Sequence, residues 1–179
     1  MATLETLPGY ARDLKLNLQA VLGDSPLDMA QRLGTALASA AASRNADLVR
    51  ELRARTLEAA GEAVVEDALA AAALMGMTNI VYRFRHLVGK ESYAQLPVRL
   101  RMNRIARTAG PRLDFELFCL AVSAVNGCET CVRAHERALV EGGLSEAQVF
   151  EAVRIAATVH GLAVAFQPGL DPAGEISPA

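Results

Sequence analysis

Between Asp67 and Arg83 the chain runs through residues 68–82 without a charge, and Ala70, Ala71, Ala72 and Ala73 follow one another directly. Alanine is the best helix former and is depleted in strands, so this stretch specifies helix rather than sheet. A helix so poor in polar residues after Asp67 is buried on most of its sides. Its length falls short of the roughly 18 apolar residues read as a membrane span. Residues 155–170 are also uncharged, but His160, Gln167 and Pro168 interrupt them. The pattern extends along the chain: 34 of 179 residues are alanine, aromatics make up 4%, and tryptophan is absent. The expectation is an all-α fold in one domain, 1–179, long enough to bury a full core.

Eighteen basic against twenty acidic residues give a net charge of −2, which excludes a strongly basic nucleic-acid footprint. Three cysteines, an odd number, do not suit a secreted disulfide scaffold. Residues 1–10 lack a basic segment followed by an apolar core, so no signal peptide is expected. A soluble cytoplasmic protein follows, with no membrane and no nucleic acid among its partners. In that compartment a Cys pair points to catalysis or metal binding before structure.

Turn and cap signals divide the chain. A first helix spans 10–22 and closes at Gly23. Ser25, Pro26 and Asp28 supply a cap, a first-turn proline and an early acid for a second helix, which runs to about Ala42 with Leu33, Leu37 and Ala41 at four-residue spacing. Helices over 45–57, 64–75 and 79–87 follow. Residues 89–112 are the loosest part, with a short basic helix expected at 98–107. Asp114 caps a helix over 115–125, and Asn126-Gly127 is a turn. Residues 128–140 form the next helix. Ser145 and Gln148 match a capping box opening a last helix to about Phe166, before a Pro/Gly-rich tail.

A shift of 83 lays residues 36–50 over 119–133 and matches Leu37, Ala38, Ala41, Val49 and Arg50 with Leu120, Ala121, Ala124, Val132 and Arg133. A shift of 84 lays 65–82 over 149–166 with a matching apolar pattern. Either two related helical halves, about 27–88 and 113–170, pack around a pseudo-twofold axis, or alanine-rich helices resemble one another by chance. At shift 83, Glu116, Cys128, Cys131 and His135 stand opposite Leu33, Asn45, Leu48 and Leu52. If the halves are related, only the second carries the polar constellation, so these residues are not needed merely to build the helical pair.

That constellation reads Glu116-x11-Cys128-x2-Cys131-x3-His135. At about 100° per residue, Cys131 sits about 60° from Cys128, and His135 about 20° from Cys128, on one helix face. Cys131 and His135 are i, i+4 neighbours. The turn places Cys128 at a helix start and Cys131 in its first turn, where unpaired N–H groups and the helix dipole favour a thiolate. Two such thiols suit two-electron redox: one attacks, the other resolves the intermediate as a disulfide. His135 titrates in the range such proton transfers need, and Glu116 is placed to orient it.

Other readings stand beside this one. Two Cys, one His and one Glu are also a zinc donor set, which would make the chain a zinc-stabilised scaffold. Glu116 alone is a first-turn acid favourable to its helix dipole. Cys119, on an apolar helix, reads as core. His86 and His160 read as core or surface residues. Arg99, Arg101, Arg104, Arg107 and Arg112 read as a solvated face, a subunit contact, or a dock for an acidic partner.

The segment LAVSAVNGCETCVRAHERAL, with Glu116 upstream, resembles the active-site region of the AhpD-like alkylhydroperoxidases, within the wider carboxymuconolactone decarboxylase fold group. The decarboxylase branch lacks the Cys pair. Chain length, the two-half helical organisation and the segment ALASAAASRN fit as well, so the resemblance covers most of the chain. It implies an all-α homotrimer that reduces organic hydroperoxides through a Cys pair cycling to a disulfide. It holds no cofactor of its own. It implies re-reduction by the lipoyl group of a 2-oxoacid dehydrogenase subunit, and reduction of the peroxiredoxin AhpC. Carried over, Cys131 becomes the sulfenic acid, and Cys128 is the more exposed partner that resolves it, passes a proton and exchanges with partners. Glu116 and His135 form the proton relay. Family members carry His before the second Cys, where this chain has Thr130. A protein-disulfide exchange adaptor with little peroxidase activity is a second reading of the same residues.

Overall fold

The computed structural model describes residues 7–166, and among them every regular element is helical. The expectations placed on residues 1–6 and on the tail after Pro168 lie outside the described residues. After a 3-10 turn at Gly9–Ala11 come α1 (Arg12–Leu22), α2 (Met29–Ala42), α3 (Ala46–Ala60) and α4 (Glu62–Val88). A short α5 (Glu91–Gln95) and a 3-10 turn (Asn103–Ala106) lead to α6 (Arg112–Val125), α7 (Glu129–Glu141) and α8 (Glu146–Ala165).

Two helices form the centre. In α2 every residue from Leu33 to Ala40 is buried, and in α6 every residue from Phe115 to Ser123. Helices buried all round must be covered on all sides. Accordingly α2 packs against α3, α4, α6 and α8, while α6 packs against α2, α4, α7 and α8. The approach of the two is close enough that a Cβ on Gly34 would lie 2.2 Å from Cζ of Phe118. Adding 83 to the bounds of α2, 29–42, gives those of α6, 112–125.

Several local expectations are corrected. The two helices expected at 64–75 and 79–87 are one 27-residue helix, α4. Gly76, the weak point between them, faces open space, and its propensity cost of about 1 kcal/mol is small beside the packing of its neighbours. As one helix, α4 is long and apolar enough to cross a membrane by length and composition, which its two expected halves were not. Here its buried side, including Val65, Ala68, Ala71 and Met75, packs against α2, α3, α6 and α7. The cap of α2 is Asp28, in a capping box with Gln31; the Ser25 hydroxyl instead accepts from Leu27 N. Asp114 caps nothing: it sits in the first turn of α6, behind Pro111, and its carboxylate accepts from Nε2 of Gln31 at 2.9 Å. The basic helix expected at 98–107 shrinks to the 3-10 turn Asn103–Ala106. Pro97 and the left-handed Arg99 (φ 50°) precede it. The Ser145–Gln148 capping box of α8 is present as read, whereas Asn45, expected as the first residue of the third helix, is its cap, with the side chain accepting from Leu48 N.

Asp67, buried in α4, holds the irregular 89–111 segment in place. Its carboxylate accepts from Arg104 (2.7 Å), Ala109 N (2.9 Å) and Gly110 N (2.8 Å). Of the five arginines read as a surface cluster, Arg104 and Arg112 pair with carboxylates of their own chain.

Candidate redox site

The site lies where α4, α6 and α7 meet. Gly127 takes the left-handed backbone (φ 65°) that ends α6, and Cys128 N then donates back to Ser123 O at 3.0 Å. The chain thereby turns within Asn126-Gly127 and delivers Cys128 as the N-cap residue of α7, with Cys131 in the first turn. Both thiols are free and buried. Cys128 is 0% and Cys131 6% exposed, which reverses the expectation that Cys128 is the more open of the pair. The N-cap residue lies in the angle between α6 and α7, and this position shields it.

The helix start does not make Cys131 a ready thiolate. Burial, then the hydrogen bond to Cys128, push its thiol up to about 12, while the Asn79 amide pulls the other way. Desolvation outweighs the dipole here because the dipole contributes only about 1 kcal/mol. Cys119, one helix turn beyond Glu116, is a core residue as read, and burial raises its thiol pKa strongly.

The acid and the imidazole come together. Nδ1 of His135 lies 2.7 Å from Oε2 of Glu116. On the other oxygen, Oε1, Nε and Nη2 of Arg112 donate at 2.8 and 2.6 Å. The hydrogen bond with His135, and Arg112 behind it, hold the Glu116 carboxyl below the usual carboxylate range against the opposing effect of burial. Nε2 of His135 lies 3.3 Å from Sδ of Met75 on α4. Beside the thiols, Asn79 donates to Oγ of Ser123 at 3.1 Å and accepts from Nδ2 of Asn126 at 2.9 Å.

All four residues singled out in the sequence, Glu116, Cys128, Cys131 and His135, thus sit at one junction. Arg112, Met75, Asn79 and Ser123 were missed. Arg112 was findable, because it stands four residues before Glu116 on the same helix face. Met75 and Asn79 come from another helix and carried no local signal. His86 and His160 are surface residues, bonded to Glu129 (3.1 Å) and to the Ser43 hydroxyl (3.0 Å). Among the described residues no three His, Cys, Asp or Glu side chains converge as metal ligands, which weighs against the zinc reading.

The domain is helical, with paired thiols at a helix start and a Glu–His pair beside them. Residues 91–167 match the carboxymuconolactone decarboxylase family. Over longer stretches the chain is similar to curated relatives named alkyl hydroperoxide reductase AhpD. Identity is 61% over 166 residues with that of Anaeromyxobacter dehalogenans (strain 2CP-C), covering 93% of this chain and 89% of the relative. It is 53% with that of Gluconacetobacter diazotrophicus (89% and 87% covered) and 47% with that of Solibacter usitatus (94% and 96%). The chain belongs to the alkyl hydroperoxide reductase AhpD family.

Proposed function

We propose that this chain reduces organic hydroperoxides through a Cys128–Cys131 dithiol–disulfide cycle. The observation that carries the reading is the placement of both thiols at the start of α7, one helix turn before a His135 whose Nδ1 is held 2.7 Å from Glu116.

Cys131 attacks the peroxide. Its sulfur bonds to the distal oxygen, the O–O bond breaks, and the departing alkoxide takes a proton to leave as an alcohol. Cys128 then attacks the Cys131 sulfur, the S–S bond forms, and the S–O bond breaks with release of water. A dithiol returns two electrons and two protons to the disulfide. Because Cys131 rests protonated, its attack needs a proton acceptor at hand. His135 supplies it: Nδ1 is committed to Glu116, and Nε2 faces only the weak acceptor of Met75. Arg112 keeps Glu116 anionic, so a proton arriving on His135 is stabilised.

The dithiol is the lipoyl group of a 2-oxoacid dehydrogenase subunit, and the peroxiredoxin AhpC is a second acceptor of electrons from the pair. The burial of both thiols favours a slender reductant, such as the lipoyl arm, as the donor that recharges the pair. A reducing cytoplasm is the compartment in which such thiols recycle. A homotrimer accounts for the apolar side chains left open around the end of α4 and along and after α5: Phe84, Leu87, Tyr93 and Leu96.

The test is a thiol count before and after one equivalent of cumene hydroperoxide, followed by dihydrolipoamide. Loss of two thiols, both restored by dihydrolipoamide and neither lost in Cys128→Ser or Cys131→Ser, is the expected result. Unchanged thiols, or full peroxidase turnover by either serine variant, would sink the mechanism.

A further inference from the structure

A cavity of about 470 Å³ opens beside α4, and its walls include Arg44, Arg83, His160, Asn79, Ile80 and Val125. That is room for a small organic molecule. Its charge is one-sided. Two guanidinium groups and an imidazole line it, and no acidic side chain does. Among the described residues neither Arg44 nor Arg83 forms an ion pair, although the chain as a whole is slightly acidic. Arg83 is held at the cavity by one bond, from Nη1 to the Asn126 carbonyl at 2.6 Å, which leaves its remaining N–H groups unassigned. His160 is fixed by the Ser43 hydroxyl at 3.0 Å.

Arg44 adds a second observation. It occupies a left-handed backbone, φ 58°, in the three-residue link between α2 and α3. The link between α6 and α7, 83 residues on, has Gly127 there at φ 65°. Glycine adopts this conformation without steric cost, whereas an arginine gives up roughly 1 kcal/mol to do so. The sequence therefore keeps a cation in a strained position on the cavity wall.

The cavity also comes within one side chain of the thiols. Asn79 lines it, is 1% exposed, and hydrogen-bonds Ser123 on the far side. Asn126, also on the wall, donates to Asn79 and precedes Cys128 by two residues. One side chain thus separates the cavity from the Cys131 sulfur, which the Asn79 amide touches. Ile80 and Val125 give the wall an apolar part.

We propose that this cavity selects hydroperoxides that carry a carboxylate, with Arg44 and Arg83 holding the carboxylate and Ile80 and Val125 flanking the alkyl chain. The inference rests on the peroxidase reading and names its substrate class. Guanidinium groups bind carboxylates through paired N–H donors, and a cation pair discriminates an acid from its ester where an apolar wall cannot.

The experiment compares kcat/KM for a medium-chain hydroperoxy acid and its methyl ester, alongside calorimetric binding of octanoate, which carries no peroxide. The wild-type protein is expected to prefer the acid by about tenfold or more. That preference, and octanoate binding, should fall about tenfold in Arg44→Gly and in Arg83→Ala. Arg44→Gly also relieves the backbone strain, so its loss of preference cannot be laid to misfolding; its thermal midpoint should rise. Equal kcat/KM for acid and ester, a preference unchanged in both variants, or no octanoate binding overturns the cavity proposal. If the ester is reduced as well as the acid, the peroxidase reading stands without the cavity. If neither peroxide is reduced but octanoate binds and the variants abolish binding, the cavity stands as a carboxylate site and the peroxidase reading falls.

Discussion

Arg112 grips Glu116 by one carboxylate oxygen, at 2.8 and 2.6 Å, and leaves the other, Oε2, to His135. The two residues are a helix turn apart on α6. Together they fix both the charge of the acid and the direction it faces, so the imidazole receives a carboxylate that is already oriented.

Arg112 is therefore a positioning residue. Arg112→Ala should lower kcat/KM for cumene hydroperoxide by about tenfold, or ~1.4 kcal/mol at the transition state. Its half-exposed ion pair adds little to stability, about 0–1 kcal/mol. Without the guanidinium the Glu116 pKa rises, so the acid limb of the pH–rate profile should move to higher pH. Arg112→Lys keeps the charge but loses the two-pronged grip and should restore only part of the rate. A pH profile identical to wild type would show that Arg112 does not act through Glu116.

The buried Cys131 thiol ties stability to pH. Its pKa is raised in the fold from 9.0 to about 12, so the folded state holds the proton more tightly than the unfolded chain. This contribution is fully present below pH 9 and is lost as pH climbs towards 12. Chemical denaturation of the reduced protein at several pH values should show wild type losing more stability across that window than Cys131→Ala. Parallel curves would contradict the assignment.

Two glycines should respond in opposite senses to alanine. A Cβ at Gly34 would meet the Phe118 ring at 2.2 Å, between the two central helices. Gly34→Ala should destabilise by about 1–3 kcal/mol. At Gly76, in the middle of α4, a Cβ meets nothing within 4 Å, and Gly76→Ala should stabilise by up to about 1 kcal/mol. Denaturant midpoints of the two variants decide both.

Asp67 anchors the segment before α6 through Arg104 and two backbone amides. Asp67→Ala leaves those donors unanswered and should cost about 2–4 kcal/mol. Limited proteolysis should then cut within residues 89–111 well before the rest of the chain. An unchanged digestion pattern would mean that other contacts hold the segment.

Much of this protein was legible along the chain because its signals are local. Alanine runs set the helices, and the Ser145–Gln148 box marked a start that the structure repeats. Cys128, Cys131 and His135 stood out because they share one face of one helix, and Glu116 was joined to them by the family resemblance. What local reading missed was decided by packing. Separate helices are expected at 64–75 and 79–87, yet α4 runs unbroken through Gly76 because helices around it bury the residues on either side. Asp28 rather than Ser25 caps α2, because Gln31 stands three residues on to complete the box.

The amino-acid order by itself determined which residues could carry the chemistry: a thiol pair at a helix start, an imidazole one turn on, and an acid on the preceding helix. Only the tertiary structure decided how those groups behave. Burial between α4, α6 and α7 keeps the Cys131 thiol protonated against the pull of the helix start. Met75 and Asn79, 41 and 37 residues before Glu116, reach the site only because α4 packs across α6. Solvation and contacts between distant helices have no signature in local sequence, because each is set by everything else that folds around them.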